Sequence, residues 1–446
     1  MFTGKKLAAI LLPLIAEQFL TAFVGMVDVL MVSFLGEAAV SGVSLVDSIN
    51  HLIIQFLFAL TAGGTVICAR SVGAGDRDGM ENGGRQLLFI TETVMLPTAI
   101  IFILGRNWIL AGIFGTVEEG VMSNALTYAV FTAASFPFLA LFYSSVAVFR
   151  AVGNTRVSML VSVGMNALNI IGNAIGIFIL HMGVAGVALP TLVARVAGAV
   201  YMFALLQRNR RTAGTGKIQR FRPDRGIVKD ILGIGIPGSI ESLFFNIGKV
   251  MLQSLVSTLG TASIAAYAVA SNLAAYLYLP GNALGAGMMT VVGQCYGAGE
   301  HAQARNHAKK LILLNYIILL AVCPVIIVGR GFLVGLYHLS GQSFYLASGL
   351  LLAHTIAMIL WPPAFLPPYY FRSSGHARFP MGVAIIAMAV FRLGLAHIFV
   401  RVFQKDVLWI WYAMFVDWVF RDIVFSISYI REGKTAGIRK CLNHRM

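Results

Sequence analysis

The feature that most constrains this chain is a run of twelve apolar stretches, each long enough to cross a bilayer. A crossing takes about 20 mostly apolar residues in a helix. Stretches of that length fall roughly at 8–34, 42–70, 87–110, 122–149, 157–180, 183–207, 230–258, 263–295, 311–334, 343–371, 379–401 and 407–430. Composition agrees: of 446 residues 58% are hydrophobic and only 11% charged, against about 25% charged in ordinary globular chains. So little charge cannot cover the surface of a soluble protein this large, which excludes a soluble enzyme, a disordered chain and a disulfide scaffold. The expected fold class is an all-α membrane protein of twelve transmembrane helices. The N-terminus has a basic start and an apolar run like a signal peptide, but the run continues to about Phe34 with no small-residue cleavage site, so it reads as a retained first span. Pro13, Pro280, Pro362 and Pro363 lie inside spans and mark expected bends. Cys68, Cys295, Cys323 and Cys441 are far apart and read as unpaired thiols, with neither a metal site nor a disulfide framework.

The net charge of +15 suggests nucleic acid until the basic residues are placed. An even number of spans puts both termini on one side. That side carries 25 Lys and Arg, the opposite side only Arg106, Arg330, Arg401 and Lys405. Basic loops mark the cytoplasmic face, so both termini are expected there, in a multi-pass inner-membrane protein with no nucleic-acid partner. RNRRTAGTGKIQRFRPDRG (208–226) is the longest polar stretch and lies near the midpoint. The expected organisation is an N-lobe over 1–207 with spans 1–6, a cytoplasmic linker over 208–229, a C-lobe over 230–431 with spans 7–12, and a basic cytoplasmic tail over 432–446.

The two halves repeat. Gly73-Ala74-Gly75-Asp76 returns as Gly297-Ala298-Gly299-Glu300, a shift of 224 that also pairs Val32-Ser33, Leu35-Gly36 and Ala38 with Val256-Ser257, Leu259-Gly260 and Ala262. FRAVGNTR (149–156) returns as FRSSGHAR (371–378), a shift of 222. Because the matches include polar loop residues, they indicate duplication of a six-helix unit rather than apolar bias. Six is even, so both copies enter from the same side as parallel repeats, a plan suited to alternating access with substrate near the midplane.

VDVLMVSFLGEAAVSGVSLVD (27–47), VGAGD (72–76), FRAVGNTR and IPGSIESLFFNIGKVMLQSLVSTLGTASIAAYAVA (236–270) resemble the multidrug and toxic compound extrusion family of bacterial transporters. The resemblance covers nearly the whole chain. It implies two pseudo-symmetric six-helix lobes forming a V around a central cavity. It also implies an antiporter, expected as a monomer among membrane lipids, that exports amphipathic or cationic small organic compounds while Na⁺ or H⁺ enters. No cofactor beyond that coupling ion is expected.

Charges inside spans are costly, so each one needs a reason. Asp28 lies well inside span 1, where an ionised carboxylate needs a cation, a proton or a permanent Arg partner. The resemblance implies a small N-lobe cation site: the span-1 acid, an Asn and an Asp one turn apart in span 5, and a Thr in span 6. Asp28 matches the acid, Asn169 the Asn and Thr191 the Thr, whereas Asn173 stands where the family has its Asp. An amide oxygen coordinates Na⁺ but does not titrate, so Asp28 is the sole titrating group there. Helix–helix hydrogen bonding is the other reading of Asn169, Asn173 and Thr191.

The cavity candidates are Glu241, Lys249, Trp361, Tyr369 and Arg392. Glu241 sits one turn before the place, here Phe245, where one family branch has a glutamate. Lys249, eight residues on, is roughly 80° round the helix from Glu241 and would repel a simple cation unless paired or neutral; pairing of Glu241 and Lys249 with other helices is the alternative to lining the cavity. The span-10 aspartate of that branch is absent from LWPPAFLPPYYF, where Trp361, Tyr369 and Tyr370 either stack on substrate or pack. Asp417 and Arg421, four apart in span 12, suit an ion pair, and structural pairing is also the favoured reading of Arg392. Glu17 is either a second stop for a proton or paired with a C-lobe base. Asp47 reads as wet at the outer end of span 2, and Arg195 and Glu92 have no assignment. There is no GxxxxGK[ST], so no ATP is expected, and neither HExxH nor GxSxG is present. A lipid-linked saccharide flippase is the nearest rival, supported by Lys249 and Arg392; an intramembrane enzyme would need a catalytic pair that is not found.

Overall fold

The computed structural model describes residues 2–115, 117–208, 222–339 and 341–443, with side chains in the last helix up to Glu432. Most of the 208–229 linker, the end of the 432–446 tail from 444 on and the tail side chains beyond Glu432, the Cys441 thiol among them, therefore lie outside the described residues. Spans 1–3 are α1 (Gly4–Ser33), α2 (Glu37–Ala74) and α3 (Arg77–Phe114). Span 4 is α4 (Glu119–Ala134) plus α5 (Phe136–Ala151), span 5 is α6 (Thr155–Ala174) with a π-helical end at Ile175–Ile179, and span 6 is α7 (Ala185–Arg208). Then come α8 (Arg225–Ser257), α9 (Thr261–Gly297) and α10 (His301–Gly335). Span 10 is α11 (Gly341–Ala357), a 3₁₀ turn at Met358–Leu360, α12 (Trp361–Phe365) and α13 (Pro367–Ser373). Span 11 is α14 (Arg378–Ile386), a π-helix at Ala387–Gly394, α15 (Leu395–His397) and a second π-helix at Ile398–Val402; α16 (Val407–Asn443) closes the chain.

Among the described residues ten helices are long and apolar enough to cross a membrane, eleven if the bent pair α4–α5 is counted as one span. The expected twelfth coincides with α16, whose middle carries Asp417, Arg421 and Asp422. Several helices outrun their apolar stretches: α3 starts at Arg77 rather than 87 and α10 at His301 rather than 311. The 38 residues of α3 reach roughly 57 Å, so polar turns continue beyond the hydrocarbon, where hydropathy carries no signal. Large apolar side chains line the outside, among them Leu313, Ile317, Leu320 and Val328 along α10, as a lipid-facing surface requires.

The helices run unbroken through Pro13 and Pro280. The breaks fall elsewhere. Span 4 bends by 43° at Ser135, just before Pro137, and span 10 breaks at Met358–Leu360, just before Pro362 and Pro363. Both breaks occupy the same place in the repeat. Left-handed backbone does too: Gly36 pairs with Gly260, Gly75 with Gly299, Gly115 with His338, Gly153 with Gly375 and His181 with Gln404, at offsets of 222 to 224. Left-handed backbone is costly for residues with a Cβ, so this recurrence marks a duplicated backbone and not merely shared composition. The helix entries have drifted more: the Asp76 side chain caps α3 by accepting from the Gly79 N–H at 2.8 Å, while Glu300 makes no such bond at α10.

By contacts the chain divides into two compact units, up to Ser239 and from Ile240 onward. In the first, small residues bring helices close. A Cβ on Gly172 would sit 2.6 Å from the Pro190 Cβ, and one on Gly176 would sit 2.7 Å from the Gly186 Cα, so α6 and α7 nearly touch there. In the second, Gly281 and Gly285 of α9 leave room for the rings of Trp361 and Tyr369.

A candidate ion site in the first unit and a cationic cluster in the second

Helices α1 and α6 run parallel, joined by polar contacts at a constant sequence separation of 145 residues. The Thr155 hydroxyl donates to the Ile10 carbonyl at 2.8 Å, the Ser162 hydroxyl to Glu17 Oε1 at 3.2 Å, and Asn173 Nδ2 to Asp28 Oδ1 at 2.9 Å. Positions 10, 17 and 28 differ by near-whole numbers of turns, so one face of α1 carries all three. At the far end of this ladder the close approach of α6 to α7 adds Thr191. Asn169 Nδ2 donates to Thr191 Oγ1 at 2.9 Å, and the Thr191 hydroxyl donates to the Val187 carbonyl at 2.8 Å. Asn173 Nδ2 also approaches Asn169 Oδ1 at 3.4 Å. The structure thus brings Asp28, Asn169, Asn173 and Thr191 into one chain of contacts. Asn173 is fully buried, and its Oδ1 accepts no hydrogen bond. No ion pair within 4.0 Å holds Asp28 among the described residues.

Glu17 has a different partner from the C-lobe base considered above. It accepts two bonds from Arg150 Nη2, at 3.0 and 2.9 Å, both side chains being about nine-tenths buried. FRAVGNTR therefore supplies the counter-charge of span 1 from within the same unit.

Beside Asp28 is a group that the sequence reading left aside. Asp47 is the eleventh residue of α2 and not at its mouth; it bonds with Asn50 and with Tyr128 of α4. Arg195 of α7 donates to Ser135 Oγ at 2.7 Å, at the bend of span 4, and lies within electrostatic reach of Asp28, Asp47 and Tyr128. One signal was present in the sequence: Arg195 is one turn beyond Thr191 and shares its face.

Two of the second-unit cavity candidates are occupied by structural contacts. Glu241 Oε2 accepts from Arg372 Nη2 at 2.6 Å. Trp361 is 4% exposed and lies between Phe365, at 5.2 Å between ring centres, and Tyr278, at 5.8 Å. Glu241 thus has an ion-pair partner and Trp361 packs between rings, the structural alternative in each case. Tyr369 packs over Gly285 with the Arg372 guanidinium 5.5 Å from its ring, and so is also held within the unit. Arg392, Asp417 and Arg421 form a buried group, Arg421 Nε bonding Asp417 Oδ1 at 2.7 Å with Arg392 Nη1 3.7 Å from Oδ2. Lys249 lies near Arg392.

Repeated units of membrane-crossing helices, with charged and amide groups buried inside each, define a polytopic membrane transporter. The chain belongs to the MatE family, whose model matches residues 13–175 and 237–398, once in each half. It is similar to the uncharacterized transporter YisQ of Bacillus subtilis, 27% identical over 420 residues covering 91% of this chain and 90% of the relative. It is also similar to the probable multidrug resistance protein NorM of Thermotoga maritima, 25% identical over 440 residues covering 96% of this chain and 92% of the relative. A solved structure of a MOP superfamily transporter from Pyrococcus furiosus has the same fold at TM-score 0.89 and 22% identity, over 96% of this chain and 95% of that one. Its description reads "reverse polarity of binding pocket suggests different function".

Proposed function

We propose that the protein is a secondary antiporter of a bacterial inner membrane, with both ends cytoplasmic. It acts as a monomer and exports amphipathic small organic compounds, cationic ones among them, as Na⁺ or H⁺ enters. The observation that carries this reading is the partly buried chain from Thr191 through Asn169 and Asn173 to Asp28, with one carboxylate and, among the described residues, no arginine bonded to it. Asn173 donates to the carboxylate when it is charged. When a proton or Na⁺ neutralises it, rotation of the Asn173 amide presents the unpartnered Oδ1 instead. One carboxylate and the neutral oxygens of Asn169, Asn173 and Thr191 match a monovalent ion in charge and in preference for oxygen. Loss of the ion restores an anion in an apolar setting, which is the energetic link a pump needs. The multidrug resistance name of the Thermotoga relative supports organic compounds as cargo.

The test is efflux from proteoliposomes loaded with ethidium, with Na⁺ and pH gradients imposed separately. Acceleration by one gradient supports the reading; rates independent of both reject it. A lipid-linked saccharide flippase is the second reading, favoured by the cationic pair Lys249 and Arg392.

A further inference from the structure

The second unit carries more positive charge than its own acids neutralise. Arg392 sits in the middle of span 11, on the π-helix Ala387–Gly394, and faces α16, which supplies Asp417 and Arg421. Asp417 is fully buried and gives its Oδ1 to Arg421 Nε at 2.7 Å. Arg421 Nη2 donates in addition to the Ala384 carbonyl at 3.3 Å. What remains for Arg392 is Asp417 Oδ2 at 3.7 Å, beyond hydrogen-bond length. Arg392 is 8% exposed, yet its Nε and Nη1 have no hydrogen-bond acceptor. Its guanidinium lies 5.3 Å from the Phe245 ring centre. On α8, Gly248 packs so closely against Met388 that a Cβ would come 2.6 Å from its sulfur. That contact seats Lys249 beside the same π-helix, and Lys249 has no acid within 4.0 Å among the described residues. Two buried guanidinium groups thus share one carboxylate, and the exposed Lys249 ammonium lies within electrostatic reach of Arg392. Buried donors left open in this way are costly unless something accepts from them.

We propose that Arg392 and Lys249 bind the acidic group of those transported compounds that carry one, so that amphipathic organic anions and zwitterions with a carboxylate, sulfonate or phosphate near an apolar ring system are among the cargo. The guanidinium has open N–H donors at Nε and at Nη1, each able to make a charge-assisted bond to an acid oxygen. Lys249 adds a second positive charge, and Phe245 a surface for the ring. This deepens the antiporter reading and rests on it for the word cargo, though binding is measurable without a gradient.

The experiment compares three probes of one shape, pyrenebutyrate, pyrenebutanol and pyrenebutylamine, binding to the full-length protein in nanodiscs. The acid is expected to bind at least tenfold more tightly than the alcohol or the amine. Lys249→Gln, which breaks no ion pair among the described residues, is expected to weaken the acid severalfold and the alcohol by much less. Arg392→Gln should weaken the acid tenfold or more, and Arg392→Lys should recover part of that loss. Equal affinities for the three probes, tightest binding of the amine, or unchanged acid binding in Lys249→Gln would overturn the proposal. So would a polyprenyl-pyrophosphate sugar binding where the acid does not, which points to the flippase. Binding of the acid without gradient-driven efflux would instead defeat the antiporter reading and leave the acid site standing.

Discussion

Glu17 and Arg150 separate structural charge from working charge in the first unit. The Glu17 carboxylate accepts from Arg150 at 2.9 and 3.0 Å and from Ser162 at 3.2 Å, with about a tenth of each charged side chain exposed. Glu17→Gln keeps the shape and removes the charge, leaving a buried guanidinium without its carboxylate. Breaking one side of a buried pair costs about 3–5 kcal/mol. Glu17→Leu with Arg150→Met removes both charges and should recover most of that loss, since replacing both members of such a pair is often neutral. Equilibrium unfolding of the wild type, Glu17→Leu, Arg150→Met and the double variant in mixed detergent micelles gives the cycle. Coupling under about 1 kcal/mol, the level of an exposed pair, would refute the assignment. The double variant also decides function: if Glu17 were a second proton stop, it would fold and fail to export, whereas a structural pair predicts that it exports.

Other expectations follow from the same geometry. Asn173→Asp restores a second carboxylate against Asp28; two such groups in contact hold one proton between them, so efflux should vary more steeply with pH than in the wild type, and an unchanged profile would contradict the single-acid site. Gly281→Ala places a methyl group in the Trp361 ring and should cost about 1–3 kcal/mol of unfolding free energy; an unaltered unfolding curve would show that Trp361 is free to move and not packed.

The spans and the repeat were legible because both are long-range, redundant signals: twelve apolar runs, and loops recurring at one offset. Helix ends were less so, because α3 and α10 continue through polar turns that hydropathy ignores. The bend at Ser135 was invisible within an even apolar run, since Pro137 alone does not say whether a helix starts or breaks there. Asp28, Asn169, Asn173 and Thr191 were singled out through family resemblance, and the shared 145-residue register of α1 and α6 explains why they meet. Partners of charges were harder to read. Glu17 finds Arg150 and Glu241 finds Arg372, pairs 133 and 131 residues apart, and no local period encodes such contacts. Asp47 is exposed, as read, but lies eleven residues into α2 because the apolar stretch of span 2 starts later than its helix.

The most direct test of the central claim, that the Asp28 carboxylate couples an ion gradient to transport, uses one variant and two readouts. Asp28→Asn is compared with the wild type in proteoliposomes, first for probe binding at equilibrium and then for efflux under an imposed Na⁺ or pH gradient. The claim predicts binding close to wild type and efflux that no longer responds to the gradient. Gradient-responsive efflux at the wild-type rate from a protein lacking this charge would contradict it.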